Sequence, residues 1–289
     1  MSINKVFFHN SDNIKKIIIK YLLCLIPFIL YGVYKNGILL YNHNLISLVL
    51  IPKIIYMLII SLGVYLLVDK ILFKKKDFWS LDLLFVLIVP IFLPPNINLG
   101  LYFAGLLSSF ILANILECKV KFNKIAFCKL FIVLLIILFG KFTYLNPSEE
   151  LNIYSLNYWD LLWGRNIGGI ASTNIVFGLI VLIILVFISN YKKTIAIISL
   201  LVFIVCSLIF SGIDIAIFHY SGAILGLIFL NVDSISTPHN KIAMILYGVM
   251  LGLFSAIATI WIDINEGVFI SALILSFFAP ILDKLTQKW

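Results

Sequence analysis

Long apolar runs separated by short lysine-bearing connectors dominate the chain. They lie at 17–34, 45–68, 81–93, 99–116, 126–143, 173–189, 194–210, 215–232, 242–261 and 267–282. A helix needs about 20 apolar residues to cross a bilayer, and most of these runs approach that length. The run at 81–93 is short and is interrupted by Pro90, with Pro94 and Pro95 just beyond it. Proline lacks an N–H and clashes with the preceding turn, so a broken or re-entrant helix is expected there. If every run crosses, seventeen lysines share one side: Lys5, Lys15, Lys16, Lys20, Lys70, Lys74, Lys75, Lys76, Lys119, Lys121, Lys124, Lys129, Lys192, Lys193, Lys241, Lys284 and Lys288. The other side receives Lys35, Lys53, Lys141 and Arg165, together with Glu149, Glu150, Asp160, Asp214, Asp263 and Glu266. Positive connectors stay cytoplasmic, so ten crossings with both termini in the cytoplasm are expected.

Composition agrees with this pattern. The chain is 63% hydrophobic and 12% charged, against roughly half apolar and about a quarter charged in soluble domains. It reads as one polytopic domain over 1–289 in a cell membrane, with no room for a separate soluble unit. The first apolar run follows Lys15, Lys16 and Lys20 without a small-x-small cleavage site, so it reads as a retained helix. The net charge of +8 resides in connector lysines, which topology explains without nucleic acid. Cys24, Cys118, Cys128 and Cys206 show no CxxC spacing, which argues against a disulfide framework or a cysteine-ligated cluster. His9 and His239 fall on one side and His43 and His219 on the other, so no haem pair or metal site is expected.

Two segments echo each other. Pro95 to Gly105 and Pro238 to Gly248 each begin with proline, carry asparagine soon after, and place glycine ten residues on. The assigned topology puts them on opposite sides. An all-α fold of two inverted five-helix repeats, about 1–143 and about 173–289, is therefore expected, and functional sites in such folds often lie where broken helices meet.

Polar residues are scarce, so the stretch Gly222 to Lys241 stands out. Asp233 follows an apolar run, and Ser236, Thr237 and Pro238 come after it. A carboxylate beside a membrane helix is commonly functional, which makes Asp233 an ion-path or ligand-contact candidate. The other reading is local: Asp233 as a capping group for the turn that starts the next helix, where Ser236 and Thr237 precede Pro238 in an N-cap arrangement. Gly222 with Gly226, and Gly248 with Gly252, have the spacing of close helix packing. Asp82 and Asp214, the latter near His219, are further ion-path candidates, with interfacial solvation as the alternative. Lys53 is expected to snorkel.

The motifs at these positions carry a resemblance. Trp159-Asp-Leu-Leu-Trp-Gly164 with Gly168-Gly169 and Ser172-Thr173, His219 to Gly226, Val232 to Pro238, Glu266-Gly-Val-Phe, and Pro280 to Asp283 occur in the order found in two related membrane proteins. These are RnfD of the Rnf complex and NqrB of the sodium-pumping NADH:quinone oxidoreductase. Asp82 to Pro95 is similar to that family's Asp…Leu-Pro-Pro helix. The resemblance implies ten helices in two related halves within a multi-subunit oxidoreductase in the bilayer that moves ions and carries electrons. It also implies FMN linked through its phosphate to a threonine before the sixth helix.

This chain departs from the family at two places. No Ser-Gly-Ala-Thr motif lies between Lys141 and Ile175; Thr143 and Ser172-Thr173 are the nearest residues, with Thr173 a weak candidate. The family's glycine-rich loop before the fifth helix is replaced by Glu117 to Ala126, which has no glycine. FMN or riboflavin is therefore expected to bind non-covalently rather than covalently, with Asp233, Ser236, Thr237 and Gly222 as contacts. A chain without flavin, acting as a solute or ion transporter or channel on the same scaffold, stays open as the alternative. No side chain is expected to be catalytic, since a flavin would bring its own redox chemistry.

Overall fold

The computed structural model describes residues 14–75, 77–140, 158–166, 168–188, 191–233, 235–263 and 265–287, without the side chains of 213–219 and 221. Regular structure among these residues is helical throughout. The first helix, α1 (Ile14–Asn42), is longer than the sequence suggests. Lys35-Asn36-Gly37 looks like a connector, but the chain continues through a π-turn at Tyr34–Ile38. That turn buries Lys35 and Asn36. Gly37 is needed there, because a Cβ would sit 3.0 Å from the carbonyl carbon of Ile51 and closer still to its oxygen.

The second helix, α2 (Lys53–Leu72), starts after Pro52, later than the apolar run at 45–68. Leu48–Leu50 forms only a 3-10 turn. The last turns of α2 are a π-helix, Leu66–Leu72. The third helix, α3 (Leu81–Phe92), is short, as its prolines require. It tightens to a 3-10 turn at Val89–Phe92 with Pro90 inside, and the chain then unwinds to Asn98. Next come α4 (Leu99–Glu117) and α5 (Lys124–Phe139), then a single turn at Tyr158–Leu162 and α6 (Ile175–Val186).

Helical backbone then runs from Lys193 to Leu230, 38 residues. A straight helix of that length would extend about 57 Å. Yet the Tyr191 hydroxyl donates to the Ile228 carbonyl (2.9 Å), and the rings of Phe203 and Tyr220 lie 6.0 Å apart. The chain therefore doubles back, and positive φ at Gly212 (75°) and Gly222 (73°) brackets the reversal. This gives two arms, α7 (Lys193–Gly212) and α8 (222–230), the second starting later than the apolar run at 215–232. Two helices close the fold: α9 (Lys241–Trp261) and α10 (Gly267–Thr286).

Asparagine starts four of these helices. The Oδ1 atoms of Asn98, Asn123, Asn174 and Asn240 accept from the backbone N–H groups of Gly100 (2.8 Å), Ala126 (3.0 Å), Phe177 (2.9 Å) and Ile242 (3.3 Å). Free N–H groups at a helix start are costly away from water, and asparagine is a strong cap. Asn98 and Asn240 follow Pro95 and Pro238, so the two echoing segments begin helices in the same way. The cap of α9 is thus Asn240, and the capping role expected of Ser236 and Thr237 is not observed.

Small residues set the helix spacing. At Gly252 a Cβ would lie 2.5 Å from the Ser199 carbonyl oxygen, and at Gly248 3.1 Å from Ile198. These contacts bring α7 and α9 together, as their spacing suggests. Large apolar side chains such as Leu30, Ile59, Ile209 and Ile274 are more than half exposed on the outer helix faces. That surface suits hydrocarbon, and it makes the chain a membrane protein in contact with the lipid bilayer.

Candidate functional site

The polar groups expected to form one site fall in two places, and a third polar centre lies elsewhere. That third centre joins the ends of α2, α3, α4 and α5. Asp82, in the first turn of α3, accepts from Lys124 Nζ (2.6 Å) and Lys75 Nζ (2.5 Å). Lys124 also pairs with Glu117 (2.5 Å), and Lys75 with Asp69 (3.1 Å). Asn114 stands between them: its Oδ1 accepts from Lys75 (3.0 Å) and Lys124 (3.3 Å), while its Nδ2 donates to Asp69 (3.3 Å). Asp82 is therefore buried in ion pairs, and the solvated alternative does not hold. A cavity of about 340 Å³ reaches this network, lined by Trp79, Ser80, Asp82, Phe85 and Glu117 among others.

The Asp233 turn adjoins this centre through α5. Asn123, one residue before Lys124, donates to the Leu230 carbonyl (3.0 Å) and to Ser236 Oγ (3.4 Å). Asp233 is 2% exposed and accepts from Ser236 Oγ (2.9 Å) and the Ile235 N–H (3.1 Å). Thr237 Oγ1 donates to the Asp233 carbonyl (3.4 Å). The side chains of this turn thus bond within it and to Asn123. The cavity beside it is about 70 Å³, well below the roughly 300 Å³ where small-molecule sites begin.

Burial raises the Asp233 carboxyl from its ordinary 3.8 to about 6, against the hydrogen bonds from Ser236 and Ile235, which lower it. The folded protein therefore holds this proton more tightly than the unfolded chain. The resulting stability is complete below about pH 4 and is lost as pH rises through 6, a change of about 3 kcal/mol. In Asp233→Asn that component should vanish. Melting temperatures from pH 4 to 7 should fall less steeply in the variant than in the parent; equal slopes would contradict this assignment.

Gly222 and Thr173 belong to another region. Residues 168–174 form an irregular segment beside the unwound end of α3. The N–H of Ile170 donates to Leu93 O (2.8 Å) and that of Ala171 to Ile91 O (3.1 Å). Asn36 donates to Ile170 O (2.6 Å), and Lys35 reaches Asn166 O and Thr173 Oγ1. A Cβ on Gly222 would lie 3.5 Å from Ser172 Oγ and 3.6 Å from Asn265 Oδ1. Close by in the sequence, Glu266 pairs with Lys129 (2.6 Å), whose ammonium also donates to Asn265 O (2.6 Å) and lies 4.0 Å from the Phe269 ring centre. Lys129 is fully buried, not a connector lysine as its position in the sequence suggests.

These surroundings fit an attached flavin poorly. Thr173 is 1% exposed and its hydroxyl donates to Gly164 O (2.8 Å). A phosphate ester there would remove that donor and has no space in the packed segment. Thr143 lies outside the described residues, as do His9 and the side chains of Asp214 and His219. Lys53 donates to Pro95 O (2.6 Å), closing the unwound turn after α3 instead of only reaching toward water.

Sequence reasoning missed Asp69 and Asn114, and read Lys75, Lys124 and Lys129 as topology signals only. The available signal was Asp69 itself, an ionisable group directly at the end of the apolar run 45–68.

Among curated proteins, none matches the chain. Residues 2–289 match the NQR2, RnfD, RnfE family. With the match covering nearly the full length of an all-helical membrane chain, the protein belongs to the NQR2, RnfD, RnfE family.

Proposed function

We propose that the chain is a membrane subunit of an ion-translocating electron-transport assembly of the Rnf and Nqr type, with both termini cytoplasmic. The observation that carries this reading is the family match across 2–289. In this reading ten helices form two inverted halves. Support for the halves comes from the paired non-helical segments, 93–98 after α3 and the described residues 231–233 and 235–240 after α8, each followed by an asparagine-capped helix. Contacts among connectors support the parity. Lys192 donates to Pro238 O (3.2 Å), and Asp283 accepts from the His239 N–H (2.9 Å), so the connector after α6, the connector after α8 and the end of α10 share one side.

The electron-carrying flavin of this assembly is bound without a covalent link to Thr173, or is held by a partner protein. The sealed Thr173 hydroxyl favours this version over covalent attachment. The same observation supports a second reading, an ion or solute transporter on the family scaffold that lost its flavin. Affinity purification of the tagged chain from its native membrane, with mass spectrometry of what accompanies it, separates the two. Redox proteins are the expected companions. A chain that emerges alone would leave the transporter reading.

A further inference from the structure

Asp69 is the most deeply buried carboxylate of the α2–α5 network, 0% exposed. Its Oδ1 takes Lys75 and Asn114, while its Oδ2 has no hydrogen-bond partner. Among the described residues, the network's charges do not balance. Asp69, Asp82 and Glu117 give three negative charges against the two positive charges of Lys75 and Lys124, a net of −1. Both lysines are already shared between two carboxylates. Tyr65, one turn earlier on α2, donates to Phe78 O (2.5 Å) and meets Ser80 Oγ (3.1 Å), not Asp69.

We propose that Asp69 is a proton-binding site, loaded from the cavity beside Trp79 by way of Asp82. An ionised carboxylate with one oxygen unserved at this burial costs several kcal/mol. Taking up one proton brings the network from −1 to neutral and leaves both lysine pairs of Asp82 in place. The charge deficit is one, so a divalent ion would overshoot it. A sodium ion at Asp69 would sit beside the Lys75 ammonium, itself 3.1 Å from that carboxylate, whereas a proton on Oδ2 adds no cation next to it; this favours a proton over sodium. The cavity touches Asp82 and Glu117, and Lys75 links Asp82 to Asp69. A proton taken up by Asp82 from cavity water can pass on through the Lys75 ammonium, which gives one proton to Asp69 and regains one from Asp82. The π-turn that carries Asp69 is a form often found at functional sites. Neither the charge deficit nor the burial of Asp69 depends on a bound flavin.

The test uses the full chain in nanodiscs. Infrared spectra at pH 7 should contain the C=O stretch of a protonated carboxylic acid in an Asp233→Asn background. Adding Asp69→Asn should abolish it, and Asp69→Glu should shift it. Asp69→Asn should keep the parent melting temperature at pH 7, since the amide replaces an acid that is already neutral. Sodium chloride, compared with choline chloride, should move neither the band nor the melting temperature. No carboxylic band, or one that survives Asp69→Asn, would overturn the proposal. So would a melting temperature lowered by that variant together with a sodium-dependent rise in the parent, which would assign the site to sodium.

Discussion

Replacing Lys129 with methionine should lower the melting temperature by about 10 °C. The reason is the partner left behind. Lys129 is fully buried, Glu266 is 5% exposed, and their charges meet at 2.6 Å where α5 crosses the start of α10. Removing one member of a buried pair typically costs about 3–5 kcal/mol, because the remaining charge loses its counter-charge away from water. A melting shift of about 2–4 °C per kcal/mol applies to chains of this order of size. Lys129 also donates to the Asn265 carbonyl and faces the Phe269 ring, so the loss includes those contacts. The double variant Lys129→Met/Glu266→Met should recover most of the shift, since apolar replacements of buried pairs are often neutral. Thermal unfolding of the three proteins in detergent, followed by tryptophan fluorescence, measures it. A double variant no more stable than Lys129→Met would show that the charge left behind is not the cause.

Gly267→Ala should destabilise by about 3 kcal/mol or more. The added Cβ would lie 2.5 Å from the Ala258 carbonyl carbon and closer still to the Thr259 nitrogen. Both are backbone atoms in the last turns of α9, which cannot rotate away. Overpacking costs typically about 1–3 kcal/mol even when side chains can move aside, so a backbone clash belongs at the top of that range or beyond it. Gly63→Ala is the matched control. Nothing lies within 4 Å of its Cβ position inside α2, so alanine should stabilise slightly there through its higher helix propensity. Melting temperatures should move in opposite directions. Similar losses in both variants would refute the close α9–α10 approach.

The fold was largely legible because apolar runs and prolines act locally. The break after α3 follows from Pro90 and Pro94–Pro95, and the turn between α7 and α8 from the gap between two runs. Helix ends were less legible. Lys35-Asn36-Gly37 has the composition of a connector, but Lys35 and Asn36 find their carbonyl partners at Asn166 and Ile170, about 130 residues away in sequence. No local pattern encodes that contact. The same holds for Lys124 and Lys129, whose acids sit on other helices. A lysine count cannot distinguish a lysine facing lipid headgroups from one paired inside. The Asp233 turn was found correctly as a polar outlier. Its grouping with Gly222 was not, since α8 separates the two by about 12 Å of helix rise.

The reading of this chain as a redox subunit without an attached flavin of its own at Thr173 is tested most directly on the assembly purified from its native membrane. Flavin absorbance is measured first, then in-gel fluorescence after denaturation. The expected result is flavin absorbance in the intact assembly and a dark band at 32.8 kDa. A fluorescent 32.8 kDa band that disappears in Thr173→Ala would contradict the non-covalent version, and an assembly with no flavin at all would contradict the redox role.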